Sequence, residues 1–190
     1  MASNPVSKLS EEQYLAIERA AEFKNEFLDG VMYAMSGGSP SHSSLAVNIL
    51  SELRAMLRGG DCKAFNSDLR VRVSGRMYAY PDVSVVCGKP QLADEQKDVL
   101  LNPIVIFEVL SPSTELYDRG LKFQLYRSIP SLREYILVDQ NKVQIEHYIR
   151  QDSSAWTLRD HQGLEQELKL DSIGVSLPLR LIYDGVDLEG

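Results

Sequence analysis

The 190-residue chain has only two cysteines, and neither lies in a CxxC or Cys/His spacing that would hold zinc or run a dithiol couple. Cys62 follows a Gly-Gly turn and Cys87 ends an apolar run, so both are expected as reduced packing thiols in a reducing compartment. No apolar stretch approaches the roughly 18 to 20 residues of a membrane-spanning helix, and the segment from Met1 to Gln13 has no apolar secretory core. A cytoplasmic protein without membrane contact is expected. A GxxxxGK[ST] phosphate loop and a GxSxG elbow are also missing, which removes the usual signatures of P-loop hydrolysis and of a Ser/His/Asp triad. Without a repeat, a low-complexity tract or a long linker, residues 1–190 read as a single domain.

Positive charge is scarce as well. Twenty Lys and Arg stand against 27 Asp and Glu, and the net charge of −7 argues against a surface that is basic throughout. One stretch departs from this: Arg54, Arg58, Lys63, Arg70, Arg72 and Arg76 face only Asp61 and Asp68. It is either a solvated face or a set of phosphate contacts, with Arg70, Arg72 and Arg76 the candidates for nucleic-acid binding.

The spacing of apolar residues predicts an α/β protein. A helix is expected from Glu11 to Glu22 after the cap Ser10, a strand pair around Asp29-Gly30, and a second helix from Ser41 to Leu57. Residues 63–73, 79–87 and 103–110 read as strands, the last two so apolar that they belong in the middle of a sheet covered by helices. A helix follows from Thr114 to Ser128, with Tyr117, Leu121 and Leu125 on one stripe and Asp118, Lys122 and Tyr126 on another. Strands over 134–138, 143–149 and 155–159 come next, and the segment 176–180 closes the core.

Asp82 and Glu108 are charges inside core strands. Burying a carboxylate costs several kcal/mol, on the order of the loss of several hydrogen bonds, unless a partner or a cation compensates it. If the strands are neighbours, the two carboxylates repel each other until a divalent cation neutralises them, and oxygen-only ligation favours Mg2+ or Mn2+. Alternatively each is an isolated strand-end cap. Lys122 on the following helix adds an ammonium that lowers the cost of charge on a phosphate. His42 and the segment Ser36-Gly-Gly-Ser-Pro-Ser41 at a helix start are weaker anion candidates.

The segments Tyr80-Pro81-Asp82-Val83, Ile106-Phe-Glu108-Val-Leu110-Ser-Pro-Ser113, Asp118-Arg-Gly-Leu-Lys122-Phe-Gln-Leu-Tyr126 and Glu134-Tyr-Ile-Leu-Val-Asp139 carry a resemblance. In order and spacing, from about Tyr14 to Tyr148, they resemble the Uma-two family of restriction-endonuclease-type proteins. The resemblance implies a PD-(D/E)xK fold, a mixed central sheet flanked by helices, acting as a Mg2+- or Mn2+-dependent endonuclease on DNA through metal-activated water. It implies Asp82 and Glu108 as metal ligands with the carbonyl of Val109, Lys122 as the residue that orients the water, and Glu26 and Gln124 as accessory groups. Leu110 stands where the usual pattern has lysine, and Lys122 is the replacement. Analogy with other nuclease folds adds a homodimer. The alternative is a catalytically inactive module of the same fold that binds nucleic acid or protein; a hydrolase of small phosphorylated compounds is a third reading.

Overall fold

A proline and an Asn-Ser-Asp turn divide segments that read as single strands, and these two breaks shape the molecule. In the computed structural model, which describes residues 8–188, the chain opens with helix α1 (Glu11–Ala20). Its capping box is reciprocal: Gln13 N donates to the Ser10 hydroxyl, and Ser10 N donates to Gln13 Oε1. Strands β1 (Asn25–Leu28) and β2 (Val31–Ala34) turn on Asp29 and Gly30, whose φ angles of 49° and 91° are those a tight hairpin turn demands. Helix α2 (Pro40–Met56) starts from the cap Ser39 with a proline in its first turn, where a missing N–H costs nothing.

The strand expected over 63–73 is two strands, β3 (Cys62–Asn66) and β4 (Arg70–Val73). Asn66 accepts from Asp68 N and from Leu69 N, so the chain turns there and β4 leaves for a different sheet. The run over 79–87 also divides, into β5 (Met77–Ala79) and β6 (Val83–Cys87), because Pro81 has no N–H to give to a ladder. Next come β7 (Val99–Leu100), β8 (Val105–Leu110) and a helical segment of three parts: α3 (Glu115–Tyr117), a π-helical turn over Asp118–Lys122, and α4 (Phe123–Tyr126). The remainder is β9 (Glu134–Asp139), β10 (Gln144–Arg150), β11 (Trp156–Gln162), β12 (Glu167–Leu170), β13 (Val175–Pro178) and the short helix α5 (Leu179–Ile182).

The result is a mixed α/β architecture with a six-stranded sheet in the order β11-β10-β9-β8-β6-β3 and a five-stranded sheet in the order β2-β1-β5-β4-β7. Strands β8 and β9 pair in parallel and are buried along nearly their whole length, which explains their continuous apolar runs. Alternation along β8 sends Val105, Phe107 and Val109 into a core with α2, α5 and the β12–β13 hairpin. Ile106 and Leu110 face the other way, into a core shared with α4, β4 and β5. Under α1, Tyr14 stacks on Phe27 beside Tyr78, a third and smaller cluster on the five-stranded sheet.

The expectation of two reduced thiols is corrected. Antiparallel pairing of β3 with β6 sets Cys62 directly opposite Cys87, and a disulfide joins them with Cα atoms 3.9 Å apart. Cysteine usage therefore lends no support to a reducing compartment. Among the described residues no helix is long and apolar enough to cross a membrane.

Candidate active site

Glu108 shares the β8 face of Ile106 and Leu110 and so looks into the space between the two sheets. Val83 of β6 lies opposite Phe107, and carrying that register one residue further sets Asp82 opposite Glu108. Asp82 sits in the break made by Pro81. Its Oδ2 accepts the Val109 N–H at 2.7 Å and lies 3.4 Å from His42 Nε2 in the first turn of α2. Strand β1 contributes Glu26, and the helical segment contributes Asp118, Lys122 and Tyr126.

Lys122 Nζ is the hub. It lies 2.9 Å from Glu108 Oε1, 3.1 Å from Glu26 Oε1 and 3.3 Å from Asp118 Oδ1. The Tyr126 hydroxyl donates to the same Glu108 oxygen at 3.0 Å, and the Tyr135 hydroxyl donates to the Asp118 carbonyl at 3.0 Å, which ties the π-helical turn to β9. Such turns concentrate at functional sites. The polar stripe, Asp118, Lys122 and Tyr126, is buried throughout, while the other is mixed: Leu125 is buried in the core and Leu121 is 41% exposed. Leu125 and Tyr126 anchor this helix in the core, and Glu108, Glu26 and Asp118 pair with the Lys122 ammonium buried beside them.

Four carboxylates, Glu26, Asp82, Glu108 and Asp118, thus share one lysine and a histidine. Burial pushes the Glu108 carboxyl well above the ordinary range; Lys122 opposes this, and the charges of Asp118, Asp82 and Glu26 add to it. Burial raises Asp82 too, against the lowering influence of His42, the Val109 N–H and Lys122. For Lys122, burial pulls the ammonium down, but Glu108, Glu26 and Asp118 outweigh it and hold the group well above the usual lysine value. The site carries surplus negative charge.

These groups floor a cavity of about 630 Å³ that Tyr33, Met35, Tyr117 and Leu121 help to wall. Among the described residues no three His, Cys, Asp or Glu side chains form a ready-made metal cage. Asp82 and Glu108 nevertheless fit a hard divalent cation. Each commits one oxygen to the protein, and no hydrogen bond among the described residues falls on Asp82 Oδ1 or Glu108 Oε2. Mg2+ commonly takes one or two carboxylates and completes its shell with water and phosphate, so a surplus of charge without a cage is the donor set it uses.

Other expected residues lie elsewhere. Gln124, on α4, does not line the cavity; Gln140, just past β9, does. Arg70 is 3.0 Å from Asp98, Arg72 is 2.9 Å from Glu11 and Arg76 is 2.7 Å from Asp29, and none of the three lines the cavity. These three arginines of the basic stretch are compensated by carboxylates brought from other elements. Asp118 and Gln140 were not singled out from the sequence as site residues; the i,i+4 spacing of Asp118 to Lys122 was the available signal for the first.

The Uma2 family, described as "Putative restriction endonuclease", matches residues 11–180. The chain belongs to the Uma2 family. Two uncharacterized proteins of Synechocystis sp. are similar along most of their length. One, slr1290, is 42% identical over 185 residues, 97% of this chain and 96% of the relative. The other, sll1609, is 34% identical over 162 residues, 85% of this chain and 92% of the relative. A crystal structure from Anabaena variabilis, described as a putative nuclease, shares the fold with a TM-score of 0.76 at 16% identity, over 92% of this chain and 97% of that one. Glu26, Asp82, Glu108, Asp118 and Lys122 all fall within the part matched by the Uma2 family.

Proposed function

We propose that this Uma2 chain, as one domain, is a divalent-metal-dependent endonuclease that hydrolyses DNA phosphodiester bonds. The observation that carries the reading is the meeting of Asp82 and Glu108 beside Lys122 on the floor of a cavity, in a cluster with more carboxylates than cations. A Mg2+ or Mn2+ ion held by Asp82, Glu108 and the Val109 carbonyl would polarise the phosphate and acidify water at that point. The protein's own groups set the rest. Val109 N–H and His42 orient Asp82, Tyr126 and Lys122 orient Glu108, and Glu26 with Asp118 holds the ammonium where it can align attacking water and meet charge building on the phosphate. Such preorganised groups commonly contribute several kcal/mol, roughly 3 or 4 for one donor.

Leu110 in the usual lysine position and an ammonium already engaged by three carboxylates support a second reading, an inactive module that binds without cutting. Cleavage of supercoiled plasmid and of single-stranded DNA at low salt separates the two, using wild type, Asp82→Ala and Glu108→Ala with Mg2+, Mn2+ or chelator. Metal-dependent nicking lost in both variants is the expected result. No cutting under any condition would overturn the nuclease in favour of the binding module. Homodimerisation, carried by analogy alone, is read by light scattering across the micromolar range.

A further inference from the structure

The mouth of the cavity is lined with apolar and aromatic side chains. Tyr33 stands directly opposite Glu26 in the β1–β2 register and so shares the hairpin face that carries this carboxylate. It is 52% exposed, and Met35 beyond it is 37% exposed. On the helical wall, Tyr117 and Leu121 are one turn apart, and Leu121 is also solvent-facing. Large apolar groups gathered around one opening mark a surface that a ligand covers.

A second observation comes from Gln140, which is only 6% exposed. Its Oε1 accepts from the Ser39 hydroxyl at 2.6 Å, while its amide NH2 makes no hydrogen bond to the described residues although the side chain lines the cavity. The amide is fixed by Ser39 at its oxygen, which leaves the NH2 free to donate to a ligand in the cavity. Nucleobases offer what this wall lacks: a flat face for Tyr33 and acceptor edges for Gln140.

The floor is also deep. Glu108 and Lys122 are 4% and 6% exposed, and the arginines that would grip a duplex backbone are tied to Asp98, Glu11 and Asp29. A stacked duplex is stiff and keeps its bases inside, whereas a single strand can bend a phosphate to the floor and turn its base against the wall. Resting on the nuclease reading, we propose that the substrate of this site is single-stranded DNA, with one unpaired base stacked on Tyr33 among Met35, Tyr117 and Leu121 and its edge bound by Gln140.

The test is binding of a DNA hexamer carrying one 2-aminopurine, whose fluorescence falls on stacking, as single strand and as duplex. Each is titrated with the full chain in Ca2+ and in chelator. Quenching by the single strand, with affinity about 10-fold above the duplex, is expected; Tyr33→Ala weakens it about 10-fold and Tyr33→Phe retains it. Tyr33 is exposed on a hairpin, so both variants fold, which circular dichroism checks. Equal affinity for duplex, unchanged quenching in Tyr33→Ala, or no binding at all would each overturn the proposal. Cleavage is read separately: a strand that is bound and never cut removes the nuclease and leaves the base site, and cutting with duplex preference does the reverse.

Discussion

Glu108 of β8 and Glu134 of the adjacent strand β9 are both buried, and the fold treats them in opposite ways. Glu134 has a partner for each oxygen: His147 Nε2 at one and the Ser172 N–H, at 2.8 Å, at the other. Burial works to raise its carboxyl, but these bonds outweigh burial and hold it below the ordinary range. Glu108 has Lys122 and Tyr126 on one oxygen and three further carboxylates around it, and its carboxyl is held well above that range. A buried carboxylate with matched partners serves packing. One left in surplus charge, facing a cavity, is a group kept ready for a cation or substrate, and the stability it costs is supplied by the rest of the fold.

The contrast is broken most easily by truncation. Glu134→Ala leaves His147 buried without its partner, a change worth roughly 3–5 kcal/mol. At about 2–4 °C per kcal/mol for a chain of this size, Tm falls by roughly 6–20 °C. Glu108→Ala removes one of four crowded carboxylates and leaves Lys122 with Glu26 and Asp118, so its Tm changes far less while cutting is lost. Calorimetry of the two variants decides the point, and equal losses would mean that both residues are structural.

A cation sharpens the comparison. Mg2+ at about 100 times its Kd stabilises a single site by roughly 2.7 kcal/mol, seen as a rise in Tm. Glu108→Gln and Asp82→Asn lose that rise and Glu134→Gln keeps it. A rise that survives in the first two variants would put the cation elsewhere.

The two glutamates also predict opposite responses to pH. Because the Glu108 carboxyl is raised in the folded state, the native protein binds more protons than the unfolded chain above the ordinary value of 4.5, so this group's contribution falls as pH climbs from there through its folded pKa. Glu134 is depressed: its contribution is complete above 4.5 and disappears as pH falls through its lower folded pKa. Thermal melts from acid to neutral pH, comparing wild type with Glu108→Gln and Glu134→Gln, check both signs. The Glu108→Gln variant gains most on wild type at the neutral end, and the loss from Glu134→Gln fades at the acid end.

The carboxylate pair was legible because a charge in an apolar run is conspicuous, and Pro81-Asp82 with Glu108 met that condition. The helix caps and the Asp29-Gly30 turn were legible because their signals are local. What escaped was decided by groups far apart in sequence. The disulfide depends on β3 meeting β6, and the sheet to which β4 belongs depends on a turn whose consequence is tertiary. Helical periodicity separated the stripe of Tyr117, Leu121 and Leu125 from that of Asp118, Lys122 and Tyr126, but it could not show that the polar stripe is buried throughout while Leu121 faces solvent.

The arginines give the smallest expected effect. The partners of Arg72, Arg76 and Arg70 lie 61, 47 and 28 residues away in sequence, so three charges of a stretch that looks basic on its own are compensated in the fold. An arginine that contacts a DNA phosphate releases counterions, and removing it lowers the slope of log affinity against log salt by about 1. Arg76 is bound at two nitrogens by Asp29 and stands away from the cavity, so Arg76→Ala is expected to leave that slope, measured on single-stranded DNA, unchanged within error. Gln124→Ala, outside the cavity as well, leaves cleavage unchanged by the same reasoning. A slope reduced by about 1 in Arg76→Ala would mean that DNA displaces Asp29 and that the five-stranded sheet carries part of the binding surface, which would extend the contrast between structural and functional charge beyond the pair of glutamates.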